Sequence, residues 1–271
     1  MPTLLGIPLD ANSSYLRGSA HAPATIRQAW RSDASNKWSE LGVDVGTPGA
    51  FADAGDLPLT NSRERNREDF SEIERAVGEL LEKREQPVLL GGDHSVTFPI
   101  LRAFAALYPD LTIVHFDAHP DLYDEFDGSR LSHACPFARI MEESLVRRLL
   151  QIGIRTLNRH QREQAEKFGV EILPMSALPA YDRLRLQGPI YVSFDMDVLD
   201  PSFAPGVSHR EPGGMSVREA IAHLHAIQGI IVGADLVEYN PAQDISGTTA
   251  TVAAKILKEI LGKMIAPWQE L

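Results

Sequence analysis

Three short clusters hold the residues best suited to chemistry: GGDHS at 91–95, DAHPD at 117–121 and DMD at 195–197. Each closes an apolar run: PVLLGG (87–92), LTIVHFDAH (111–119) and PIYVSFDMDV (189–198). A buried strand should not end in several ionisable groups unless something stabilises their charge. Alternate residues of an extended chain face the same way, so Asp117, His119 and Asp121 point together, as do Asp195 and Asp197. If the two strands are neighbours, four carboxylates and one imidazole converge, and His94 joins them from a third strand end. Four close carboxylates repel and would take up protons; two divalent cations balance their four charges. Aspartate oxygens with a few imidazoles suit a hard to borderline ion. Mn2+ leads, with Fe, Co, Ni and Zn left open, and no thiolate in the clusters points to a structural zinc site. Asp93 reads as a hydrogen-bonding neighbour of His94, and Asp200, before Pro201, as a turn former.

Such clusters need a scaffold. Further apolar runs lie at 3–9, 149–155, 170–175 and 229–239, rich in Val and Ile and bounded by Gly and Pro, as buried parallel strands are. Helix-period segments separate them. Phe70, Ile73, Val77, Leu80 and Leu81 make one face of a helix over 65–84. Ser216 and Glu219 form a capping-box pattern opening a helix over 216–228. Val252, Ile256, Ile260 and Met264 form a stripe on a helix over 248–264. This alternation predicts an α/β fold, a three-layer α/β/α sandwich on a mainly parallel sheet, with ligands at the strand C-termini. No linker divides the chain, so residues 1–271 read as one domain.

Composition narrows the function classes. The chain has 271 residues, 44% of them hydrophobic, enough for a large core. A net charge of −11 disfavours nucleic-acid backbones and favours cationic small molecules. No apolar run approaches the ~20 residues of a membrane span. The single cysteine, Cys135, and an N-terminus without a basic stretch fit a cytoplasmic protein. Cys135 reads as a small buried hydrophobe.

Together, GGDHS, DAHPD, SFDMDVLDPSFAPG and VEYNP resemble the signature motifs of the ureohydrolase (arginase/agmatinase) family. The resemblance runs over essentially the whole length and is strongest to plant-type arginases and agmatinase-like bacterial relatives. It implies a binuclear hydrolase that releases urea from a linear guanidine, agmatine or L-arginine, by attack of a metal-bridging hydroxide. One metal would take His94, Asp117, Asp121 and Asp195, the other Asp117, His119, Asp195 and Asp197. Asp121 would move a proton to the leaving nitrogen. His133 matches a histidine that shuttles protons, and Glu238 a glutamate that pairs with the guanidinium through two parallel acceptors. Family resemblance also implies a homo-oligomer, trimer or hexamer. The stretch after Asp121 departs from animal-type arginases; its Asp124, Glu125 and Asp127 would suit a cationic tail, whereas His209 and Arg210 would meet a carboxylate. Other guanidino or formimino compounds remain alternatives, as do a one-metal amide hydrolase and a non-catalytic metal-binding relative.

Overall fold

The computed structural model describes residues 1–266. In chain order its elements are β1 (Pro2–Gly6), α1 (Ala22–Arg31), β2 (Ala52–Asp56), α2 (Asn66–Glu82), β3 (Gln86–Leu90), α3 (Thr97–Ala105), β4 (Thr112–Phe116), α4 (Pro136–Glu142), β5 (Arg148–Ile154), α5 (Arg159–Phe168), β6 (Glu171–Pro174), β7 (Arg185–Asp195), α6 (Val217–Ala226), β8 (Gln228–Val237) and α7 (Thr248–Ile265). The strands form one sheet in the order β2-β1-β3-β8-β7-β4-β5-β6, and every pairing is parallel.

Both faces of the sheet are covered, as continuous apolar strands require. Consecutive residues of β3 show it: Val88 joins the core that includes Ile26, Ile221 and Ile256 of α1, α6 and α7. Leu89 joins the core that includes Ile73, Ile100 and Phe137 of α2, α3 and α4. This is the α/β/α sandwich expected. Ser216 and Glu219 do form a reciprocal capping box at the start of α6. All five positions of the α2 stripe are buried; on α7, Ile256 and Ile260 are buried while Val252 and Met264 are partly so.

Each expected strand is present, and β2 is additional. Its sequence, ADAGD, has no apolar run because it is a largely exposed edge. The strands also stop sooner than the apolar runs do: β3 at Leu90 and β4 at Phe116. The ionisable clusters after them therefore lie in loops at the C-terminal edge of the sheet.

Candidate metal centre

Four adjacent strands in the middle of the sheet, β3-β8-β7-β4, deliver the site. After β3 the chain turns through Gly91 and Gly92 into a 3-10 turn, His94–Val96. A Cβ on Gly92 would lie 1.9 Å from the Leu9 carbonyl oxygen, so the chain needs glycine there. Phe116 of β4 sits opposite Phe194 of β7, so Asp117 and Asp195 leave neighbouring strands side by side. Extended alternation does not bring their partners in, contrary to expectation. Asp117 instead accepts a hydrogen bond from the His119 backbone N–H (2.6 Å), and Asp195 accepts one from that of Asp197 (2.8 Å). Each carboxylate thus curls the next two residues back over the strand end. Asp121 and Glu238 have φ of 49° and 62°, left-handed values that a non-glycine residue holds only under constraint.

The six residues converge. His94 Nδ1 lies 3.2 Å from Asp117 Oδ2, 3.1 Å from Asp121 Oδ2 and 3.2 Å from Asp195 Oδ2. His119 Nδ1 lies 2.9 Å from Asp197 Oδ2 and 3.4 Å from Asp117 Oδ1. All are buried except His119, which is about a quarter exposed. Burial pushes the Asp197 carboxyl up to about 6, although His119 pulls the other way. Burial, then the charges of Asp197 and Asp117, hold Asp195 well above the usual carboxylate range.

The fit to a cation rests on His94. Among the described residues its buried Nδ1 has no properly aligned hydrogen-bond partner. A proton there could satisfy one of the three facing oxygens; a cation satisfies all of them. The other ring nitrogen fixes the tautomer. Ser193 donates its hydroxyl to Asp235 Oδ1 (2.7 Å) and so accepts from His94 Nε2–H (3.0 Å). Asp235 is held by further hydroxyl donors, Thr97 and Tyr191, each at 2.9 Å. Nδ1 is therefore the nitrogen that His94 turns toward the carboxylates, the one a cation would take.

His115 also lies in the cluster, 2.8 Å from Asp117 Oδ2, and with His94 and Asp117 forms a group of metal-ligating type. Its Nδ1 accepts from Gln151 Nε2 (3.1 Å), so its Nε2–H is a donor that orients Asp117. Burial holds this imidazole below its ordinary pKa, which fits a neutral donor. Asp117, His119 and Asp197 form the second such group. Sequence reasoning missed His115, Ser193 and Asp235. A signal existed: His115 and Ser193 each stand two residues before a clustered aspartate, polar on the same strand face inside an apolar run.

His133 and Glu238 form a pair beside the cluster. His133 Nδ1–H donates to Glu238 Oε1 (2.9 Å), and its Nε2 is 2.8 Å from Ser14 Oγ. Burial opposes the imidazolium, yet the Glu238 charge carries its pKa up to about 9. Glu238 Oε1 also accepts the His94 backbone N–H (2.8 Å). Oε2 has no hydrogen bond among the described residues. The two parallel acceptors expected of Glu238 are thus reduced to one free oxygen.

A cavity of about 160 Å³ opens over these residues, lined also by Ser14, Tyr123, Phe126, Thr156, Gln161 and His209. The expected acidic wall is not there. Asp124 is bonded to Arg130 and Arg139, and Glu125 and Asp127 are exposed outside the lining. Arg210 is bonded to the Pro205 carbonyl and does not line the cavity, whereas His209 does. Cys135 is fully buried and burial pushes its thiol up to about 12, so it is inert. Asp93 accepts from Asn12 and Ser95 backbone N–H groups, and Asp200 from Ser202 and Gly213, as a neighbour and a turn former should. No helix among the described residues is long and apolar enough to cross a membrane.

Comparison with known proteins places this geometry in context. The model of the arginase family matches residues 2–262. Arginase 1, mitochondrial, of Arabidopsis thaliana is 44% identical over 97% of this chain and 80% of its own length. Agmatinase of Bacillus subtilis (strain 168) is 37% identical over 95% of this chain and 90% of its own. The solved arginase from Medicago truncatula superposes with a TM-score of 0.91 at 43% identity, covering 97% of this chain and 87% of that one.

Proposed function

Since the chain belongs to the arginase family, we propose how its pocket divides that family's chemistry among named residues. The protein is a ureohydrolase that cleaves a C–N bond of arginine or agmatine at a binuclear metal site. His94, Asp117, Asp121 and Asp195 would hold one cation, and Asp117, His119, Asp195 and Asp197 the other. Mn2+ is our choice of ion, supported by a donor set of carboxylate oxygens and two imidazoles without a thiolate. When bound, the cations supply Lewis acidity and a water-derived nucleophile at neutral pH.

The remaining work falls to side chains. Glu238 Oε2, the free oxygen, receives an N–H of the guanidinium and holds the group over the cluster. The His133 imidazolium holds Glu238 in place through Oε1. Asp121 takes the proton released by the nucleophile at a carboxylate oxygen and delivers it to the departing nitrogen. A second route runs through His133: the imidazolium first gives its own proton to the departing nitrogen and then takes up the released one, with Ser14 on its far nitrogen.

The observation that carries this reading is the buried His94 Nδ1, without an aligned partner among the described residues and facing three aspartates at 3.1–3.2 Å. Its test is urea release from agmatine and arginine by Mn2+-loaded protein, with metal counted in the same sample. Two ions per chain and urea from either substrate are expected, and Asp121→Asn should abolish turnover while the protein stays folded. One ion per chain would favour an amide hydrolase instead.

A further inference from the structure

The proposal that follows rests on the ureohydrolase reading and deepens it at the metal site. Arg155 stands immediately after β5 and outside the lining of the cavity. Its backbone N–H donates to the Ala118 carbonyl at 2.9 Å, and the Ala118 N–H in turn donates to Asp197 Oδ1 at 3.1 Å. The guanidinium crosses to two other segments. Nη2 donates to the Asp197 carbonyl at 2.6 Å and to the Glu211 carbonyl at 2.7 Å. Nε donates to the same Glu211 carbonyl at 3.1 Å, and Nη1 to that of Val198 at 3.2 Å. Every hydrogen bond of this guanidinium goes to a backbone carbonyl. A Cβ on Gly214 would lie 2.8 Å from Nη2, so glycine there leaves the fork its room. A planar guanidinium so placed holds two backbones at a fixed separation, which the point charge of a lysine does not.

Both clamped segments serve the same cation. Asp197 and His119 are the two residues that one ion would have to itself, as His94 and Asp121 are for the other. His119 Nδ1 faces Asp197 Oδ2 and Asp117 Oδ1. With a cation on that nitrogen, the N–H of the ring is at Nε2. Nε2 has no hydrogen bond among the described residues, and the carboxylate in front of it is Glu211, whose Oε1 lies 3.8 Å away. The Glu211 side chain is 41% exposed, so a small turn about its own bonds closes that gap to a hydrogen bond. A metal-bound imidazole whose far N–H meets a carboxylate is fixed in orientation and made a stronger ligand. Arg155 therefore reaches both private ligands of one ion, Asp197 through its carbonyl and His119 through Glu211. The other ion has separate support, because Ser193 and Asp235 stand behind His94.

We propose that Arg155 and Glu211 are positioning residues for the cation of His119 and Asp197: Glu211 accepts the His119 Nε2–H, and Arg155 locks the backbones of Glu211 and Asp197 together. Stripped wild type, Glu211→Ala, Glu211→Gln and Arg155→Lys are titrated with Mn2+ by calorimetry, and paramagnetic resonance reports whether the bound ions form a coupled pair. Wild type should take up two ions. Glu211→Ala and Arg155→Lys should each hold one ion at parental affinity and the other about 10- to 100-fold more weakly. The coupled-pair signal should then give way to that of an isolated ion until Mn2+ is in excess. Glu211→Gln, which keeps an oxygen acceptor, should fall between Glu211→Ala and wild type. Excess Mn2+ should return kcat of Glu211→Ala to within about twofold of wild type. The Glu211 side chain accepts no hydrogen bond among the described residues, so Tm of stripped Glu211→Ala should match that of wild type, and this variant decides even where Arg155→Lys fails to fold. Combining Glu211→Ala with Ser193→Ala should weaken both ions, since each change acts on a different one. Parental affinity for both ions in Glu211→Ala, an equal loss for both, or a double variant that keeps one ion at parental affinity would overturn the proposal. Two ions bound by wild type without urea from any guanidine would sink the ureohydrolase reading, and the titrations would still decide the roles of Arg155 and Glu211.

Discussion

Glu238 Oε1 accepts two hydrogen bonds from its own protein, so one carboxylate braces the His94 loop while its Oε2 is left for the guanidinium we propose it pairs with. The two duties separate by mutation. Glu238→Gln keeps the shape and removes the charge opposite a buried imidazolium. Breaking such a pair costs about 2–5 kcal/mol, so kcat/KM should fall on the order of 10²-fold or more, with two metals still bound. A parent-like rate in steady-state kinetics would remove Glu238 from the substrate. Ser193 acts at one remove. Ser193→Ala deletes the acceptor that fixes the His94 tautomer, and metal affinity should drop about 10- to 100-fold, read by competition with a chelator. At this scale the six clustered residues were legible because each stands out at the end of an apolar run, whereas His133 and Glu238 were singled out only by resemblance to the family's motifs. His115 was passed over although it stands two residues before Asp117 on the same strand face, because a single histidine inside an apolar run reads first as a satisfied polar residue.

At the level of elements, what matters is where strands stop. The apolar runs located β3, β4 and β7, but their ends lay two or three residues earlier than the runs implied, because hydrophobicity reports burial and not backbone pairing. The residues after Asp117 and Asp195 were therefore expected on extended chain, whereas these two aspartates act as caps that fold them back. Four helices of seven to ten residues, α1, α3, α4 and α5, were too short to stand out by periodicity. This distinction between framework and site predicts two opposite phenotypes. Ser216→Ala removes the capping box of α6, remote from the cavity. It should cost about 1 kcal/mol, roughly 2–4 °C in Tm, with activity unchanged. Gly92→Ala forces a methyl against the Leu9 carbonyl at the base of the His94 turn. It should cost about 1–3 kcal/mol and also lower metal content, which calorimetry and elemental analysis would separate. Equal metal occupancy in both variants would mean that the Gly92 turn does not set the position of His94.

For the molecule as a whole, the cluster couples folding to pH through the ions it holds. Without cations, Asp197 and Asp93 titrate near 6, burial being the first cause for each, and Asp195 lies well above the usual range for the same reason. A carboxyl whose folded pKa exceeds its unfolded value binds more protons in the native state. It contributes stability below about pH 4 that is lost as pH rises through about 6. Stripped protein should therefore carry a growing penalty from this cluster across that window. Cations reverse the dependence. They require ionised carboxylates and a bare His94 Nδ1, and the neighbouring aspartates, working against burial, hold the His94 and His119 imidazoles well above their ordinary pKa until a metal displaces the proton. Both effects act in one direction: metal affinity rises with pH. Differential scanning calorimetry of Mn2+-loaded and chelator-treated protein between pH 4.5 and 8 should show a Tm gap that widens through about pH 6, because binding to the native state alone adds stability in proportion to its affinity. A gap that stayed constant, or widened on acidification, would mean that the aspartates keep their charge balanced by some means other than a pair of cations.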